Sequence, residues 1–149
     1  MSDAFTAPDA SRARAERTYA ALHRLSERHA DTDARRRRHT NPHLADPWEA
    51  VCVVTALAAG GIVPDPDEEP VDGADLTAAL TLLPHLRAEL DVLEAGLLAT
   101  ARARGLTWQA IGHGLGLGSA QAARQRYERL VSRTADTTMS TPATTQHVE

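Results

Sequence analysis

The chain has 149 residues, enough for one domain with tails and a modest core. Apolar residues make up 42% and aromatics only 3%, so leucine, alanine and valine must supply that core. The single cysteine excludes an internal disulfide and fits a reducing cytoplasm. No apolar run approaches the roughly 20 residues of a membrane span, and the N-terminus lacks a signal-peptide pattern.

The net charge of −4 does not by itself suggest nucleic acid, but its distribution does. There is no lysine, and all 16 basic residues are arginine. Residues 10–39 carry nine arginines against four acids, residues 40–98 one arginine against eleven acids, and residues 99–133 six arginines against one acid. Phosphate contacts need local rather than global positive charge, so the last of these segments is the natural place for them.

Residues 1–9 are expected to be disordered. From Ala10 a helical pattern begins, with Ala15, Tyr19, Leu22 and Leu25 as a narrow apolar stripe. It fades after His29, and the basic N-terminal segment extends to residue 39. Within it, Arg35, Arg36, Arg37 and Arg38 form a basic run. The run has two readings: an arm that follows phosphates, or a solvated helix end or linker held extended by repulsion. Asn41-Pro42 ends the segment, because the residue before proline disfavours helix.

A helical core is expected over residues 44–104. Asp46-Pro47-Trp48-Glu49 is a helix start, with Asp46 as N-cap and Pro47 in the first turn. The helix should stop at Gly60-Gly61. Ala50, Val51, Val53, Val54, Leu57 and Ala58 make it apolar on nearly all sides, which predicts a central, buried helix with Cys52 buried in it. Residues 64–73 form an acidic, proline-containing loop. Its carboxylates lack the alternating ligands and central glycine of a calcium loop, so a solvated surface loop is expected rather than a metal site.

Helix resumes near Asp75. Pro84 either kinks one long helix or opens a second. Leu83, Leu86, Leu90, Leu93 and Leu97 repeat at three- and four-residue spacing, a heptad seam over two repeats. Two heptads do not decide between an internal core stripe and a dimer interface; burial within the chain is favoured. Arg102 and Arg104 suit a helix C-terminus, with Gly105 as cap.

Residues 105–133 carry the most information. Thr107 is an N-cap candidate, and Trp108, Ile111 and Leu115 share one face of a short helix over residues 107–115. Gly116 stops it. Ser119 caps a second helix over residues 119–131. Ala123, Tyr127 and Leu130 fall on one of its faces, and Gln121, Arg124, Gln125 and Glu128 on the opposite one, with Arg129 beside them. Helix–glycine–helix also occurs in plain packed α-proteins. The small inward Ala123 and the clustered arginines add the nucleic-acid reading, since closely crossing helices need small residues. Glutamine pairs bidentately with adenine and arginine with guanine in the major groove. Residues 134–149 are Thr-, Ser- and Pro-rich and are expected to be disordered.

Catalytic patterns are missing. The seven histidines are scattered, no Cys/His set has zinc spacing, no serine lies in a nucleophile elbow, and the alternating glycines of residues 112–118 follow a helix rather than a strand. No enzyme, cofactor or metal is expected.

The runs Leu82–Asp91, Leu97–Trp108 and Ser119–Leu130 resemble a family of small actinobacterial helix-turn-helix transcriptional regulators, whose members are often labelled small-heat-shock-protein regulators. The similarity covers roughly residues 74–131. The family's Ser-Arg-Gln-Ala-Ala pattern lands on Ser119, Ala120, Gln121, Ala122 and Ala123; Ala120 departs from it and removes a phosphate or base contact. Gly118 fits the family's longer turn. The heat-shock target is not carried over. Taken together, the expectation is an all-α domain with a C-terminal helix-turn-helix between disordered tails. It would be a cytoplasmic, nucleoid-associated regulator that binds double-stranded DNA as a homodimer, with no membrane attachment. Gln121, Arg124 and Gln125 would read bases. Thr107, Ser119, Arg126, Arg129 and Arg133 would hold phosphates. Two alternatives stand beside it: an adaptor contacting RNA polymerase or a sigma factor, and a ligand-gated sensor with a small molecule between the 46–59 helix and the leucine helices.

Overall fold

The structure, a computed structural model, describes residues 9–139, with side chains as far as residue 136. Among the described residues it is all-helical: α1 (Ala10–His29), α2 (Asp33–Arg36), α3 (Pro47–Ala58), α4 (Gly73–Ala103), α5 (Trp108–Gly114) and α6 (Ala120–Met139). None of these helices is long and apolar enough to cross a membrane. The chain divides within α4, between Leu86 and Arg87, into two compact units. The disorder expected for residues 1–8 and 140–149 falls outside the described residues.

In the first unit, short side chains start the helices where the sequence says they should. The Asp9 carboxylate accepts from the N–H groups of Ser11 and Arg12, and Asp46 accepts from Glu49 at 3.0 Å. The start of α4 is a reciprocal cap that the sequence reading missed. Asp72 accepts the Asp75 N–H at 2.8 Å, and Asp75 accepts the Asp72 N–H at 3.1 Å. The core is made of small and aliphatic residues: Ala21 and Leu25 of α1, Ala50 and Val54 of α3, and Ala78, Ala79 and Leu82 of α4.

The α3 expectation needs correction. Only Ala50, Val53 and Val54 are buried, one face of the helix, and Cys52 is exposed on another side. Residues of α1 and α4, Leu25 and Leu82 among them, join Ala50 and Val54 in the core, and the rest of α3 is left partly or fully exposed.

The basic run also needs correction, and the acidic loop supplies the reason. Arg35 is buried and holds Asp31, Asp65 and Asp67 at 2.7–3.1 Å. Arg38 donates two bonds to Glu68, itself buried. Arg36 donates to the Ala30 and Asp31 carbonyls and to Asp33, and Arg37 donates to the Asp33 carbonyl. Arg35 and Arg38 are therefore taken up by the fold rather than left to follow phosphates, while Arg37 stays exposed. The loop over 64–73 is a largely exposed surface loop, as expected, anchored at its buried Glu68. Opposite charges set well apart in sequence neutralise each other in the fold, which is why both segments can be ordered. Among the described residues no group of three His, Cys, Asp or Glu side chains is placed to hold a metal ion.

In the second unit, the later half of α4 packs with α5 and α6. Leu98, Ile111, Ala123 and Leu130 form its core, flanked by Ala95, Ala101, Trp108, Leu117 and Tyr127. α4 runs unbroken through Pro84. Its leucine seam is not internal in this unit: Leu90, Leu93 and Leu97 are 60%, 68% and 66% exposed. The burial favoured from spacing fails because α5 and α6 cover the adjoining face, the one carrying Ala95, Leu98 and Ala101. α6 also continues beyond Arg133 to Met139, past the point where its Thr- and Ser-rich composition suggested disorder.

Candidate nucleic-acid interface

Leu115 to Ser119 connect α5 to α6, and local chemistry fixes both helix ends. Thr107 Oγ1 accepts the Ala110 N–H at 3.1 Å and so starts α5. At its other end the Leu117 N–H reaches back to the Gly112 carbonyl at 2.8 Å and the Gly116 N–H to the His113 carbonyl at 3.1 Å. This six-to-one plus five-to-two pattern needs a left-handed residue, and Gly116 has φ of 68°. Ser119 Oγ then accepts the Ala122 N–H at 3.1 Å to open α6. Both cap hydroxyls spend a lone pair on the cap and keep their O–H hydrogen to donate.

The helices approach each other at Gly112. A Cβ added there would stand 3.0 Å from the Ser119 carbonyl oxygen and 3.5 Å from the Ala123 Cβ. Ala123 is fully buried, so glycine and alanine together permit the contact. Trp108 and Tyr127 close one side with ring centroids 5.6 Å apart. The Arg102 guanidinium sits 5.0 Å over the Trp108 ring and donates to the Leu106 carbonyl, so this arginine braces the link between α4 and α5.

The inner face of α6 is thereby committed to packing, and the outer face is bare. Gln121, Arg124, Gln125, Glu128 and Arg129 are all exposed. Arg124 Nε lies 3.3 Å from Glu128 Oε1, an exposed pair one turn apart. Such a pair contributes only about 0.2–0.5 kcal/mol and opens readily to another acceptor.

No protein-family model, curated protein or solved structure matches this chain.

The predicted site residues divide into two groups. Gln121, Arg124, Gln125 and Arg129 share the outward face of α6, with the capping hydroxyl of Ser119 at its start. Thr107 stands at the start of α5, and a groove lined by Thr107, Gln109, Ala110, His113, Ser119 and Ala120 separates the two helix starts. Arg126 and Arg133 lie elsewhere. Arg126 grips Glu94 of α4 through two bonds, one from Nη2 at 2.9 Å, and Arg133 Nε is 3.1 Å from Asp91. Bonding to Arg126 holds the Glu94 carboxyl below the ordinary carboxylate range and raises the Arg126 guanidinium in turn. These two arginines clamp α6 onto α4.

Sequence reasoning missed the acids that claim them. The signal was present, because Asp91 and Glu94 lie on the same side of α4 as Leu98, the residue that meets α6. It also passed over Gln109 and His113, exposed one turn apart on α5 at the groove.

Proposed function

We propose that α5 and α6 form a helix-turn-helix and that the chain is a sequence-specific, DNA-binding transcriptional regulator, like the small actinobacterial regulators it resembles. One observation carries this reading. The side chains of Gln121, Arg124, Gln125 and Arg129 stand exposed along one side of α6 while the other side is packed. In the proposed mechanism α6 enters the major groove and presents Gln121, Arg124 and Gln125 to base edges. Arg129 meets the backbone, and the Thr107 and Ser119 hydroxyls and first-turn N–H groups face phosphates. One short helix offers few contacts, so a homodimer on an inverted repeat, with half-sites about 34 Å apart, supplies the rest. The protein then works in the cytoplasm on the nucleoid and needs no cofactor.

The test is selection of bound sequences from a random duplex library, followed by gel-shift titration of variants. Arg124→Ala and Gln125→Ala should each cost roughly 1–3 kcal/mol on the selected site and relax one base position. Arg129→Ala should weaken all sequences alike. Absence of any salt-dependent duplex binding would end this reading and leave the α6 face to a protein partner such as RNA polymerase or a sigma factor.

A second reading has one observation in its favour. The first unit holds a cavity of about 110 Å³ bounded by Leu25, His29, His39, Pro42, Ala50 and Val53. An apolar cavity of about 150 Å³ holds benzene, so a ligand of only a few heavy atoms fits here. A sensor site would lie between α1, α3 and the segment joining α2 to α3, not against the leucine stripe. Thermal stabilisation by a small metabolite would support it.

A further inference from the structure

We infer that the exposed leucine stripe on the later half of α4 docks a second copy of this chain, the two helices running antiparallel. The inference rests on the DNA-binding reading only for its purpose, which is to present two α6 helices to one operator. Leu90, Leu93 and Leu97 lie at i, i+3 and i+7, the spacing of a helix-to-helix seam, and all are more than half exposed. Single exposed leucines are ordinary, but three in one line on one helix are not. The unit's own core does not need them, since Ala95, Leu98 and Ala101 already serve α5 and α6.

The flanking charges choose the occupant and its direction. Arg87 and Glu94 lie along one edge of the stripe, Glu89 and Gly96 along the other. In a parallel pair Glu89 of each copy falls beside Glu94 of the other, placing like charges together on both sides. In an antiparallel pair with Leu90 opposite Leu93 of the second copy, Arg87 meets the second copy's Glu94. Two-fold symmetry makes that contact twice, and Glu89 then lies across from Gly96 of the second copy rather than beside its Glu94. Glu94 already holds Arg126, but a carboxylate has about four acceptor sites and takes a second guanidinium without losing the first. The stripe is thus complementary to itself in one orientation. An interface built on three leucines per copy is small, so the dimer is weak, with Kd on the order of micromolar.

The experiment is sedimentation velocity on the full chain without DNA over a concentration series. A dimer fraction that rises with concentration is expected. Leu93→Glu should leave a monomer at every concentration with unchanged helical circular dichroism, and Arg87→Glu should shift the equilibrium toward monomer. Direction is read by spin labels on Thr100→Cys in a Cys52→Ser background. With a rise of 1.5 Å per residue, the antiparallel register puts the two labels about 25 Å apart along the axis, whereas a parallel pair puts them about 10 Å apart. A monomer at all concentrations, a dimer indifferent to Leu93→Glu, or the short distance would each overturn the proposal. A monomer that still footprints half of an operator would overturn this docking surface and leave the DNA-binding reading standing. A dimer that binds no duplex would do the reverse.

Discussion

Asp75 has no accessible surface, yet four groups treat it as a charged carboxylate. Arg24 Nε and Arg28 Nε donate to it at 2.9 and 3.0 Å, His29 Nε2 lies 3.2 Å away, and the Asp72 N–H completes the set. Burial alone would push its carboxyl up; the Asp72 N–H, His29 and Arg28 outweigh that and hold it below the ordinary value. Glu68 is the second such anchor. Bonds from Arg38 first, then His29 and the Asp65 N–H, bring its carboxyl from 4.5 down to about 2. A carboxylate depressed in the folded state stabilises fully above its unfolded value and loses that contribution as pH falls through the folded one. Urea unfolding across a pH series should therefore show stability falling between about pH 4.5 and pH 2, with Glu68 contributing about 3 kcal/mol of the loss. Glu68→Gln should lower stability at pH 7 by a similar amount, because Arg38 and His29 lose a buried partner, and should flatten that part of the slope. An unchanged midpoint at pH 7 would mean the carboxylate is a bystander. None of this pairing could be read along the chain, since the partners lie some 30 to 50 residues apart. Charge runs were visible, but which run meets which is decided only by the fold.

Helices were far more legible than contacts, because their ends are written in adjacent residues. Asp46-Pro47, Thr107, Gly116 and Ser119 each mark a boundary that the structure keeps within a residue or two. The faces turned inward were legible where small and large residues alternate strongly, as at Ala123 and Leu130, and not where the whole helix is apolar, as at Cys52. The α5–α6 crossing tests this local reading sharply. In a helix, glycine is ordinarily worse than alanine by about 0.5–1 kcal/mol, so Gly114→Ala, with no atom within 4 Å of the new methyl, should stabilise by about that much. Gly112→Ala should do the opposite. Its methyl meets the Ser119 carbonyl, which also accepts the Ala123 N–H and cannot simply turn away. Overpacking of this kind costs about 1–3 kcal/mol, so the net effect should be a lower melting temperature. If Gly112→Ala melts as high as Gly114→Ala, the two helices are not held at this separation.

At the scale of the whole chain the question is where positive charge is left over. Most arginines of the first unit answer to its own acids: Arg24 and Arg28 to Asp75, Arg35 to Asp65 and Asp67, and Arg38 to Glu68. On α6 the arginines at 126 and 133 answer to Glu94 and Asp91, which leaves Arg124 and Arg129 on the outward face. This accounting predicts the salt dependence of DNA binding. Each neutralised phosphate contributes about −0.9 to the slope of log K against log salt. With Arg124 on a base edge, the one backbone arginine per copy, Arg129, gives a dimer a slope of roughly −2, whereas recruitment of Arg126 and Arg133 as well would give roughly −5. Gel-shift titrations of a selected site at several salt concentrations separate these values. The shallow slope should persist in Arg126→Ala, which should instead lower the melting temperature by freeing α6 from α4. A steep slope that Arg126→Ala makes shallower would show that the arginine leaves Glu94 when DNA arrives, and that the clamp on α4 is exchanged for a phosphate on binding.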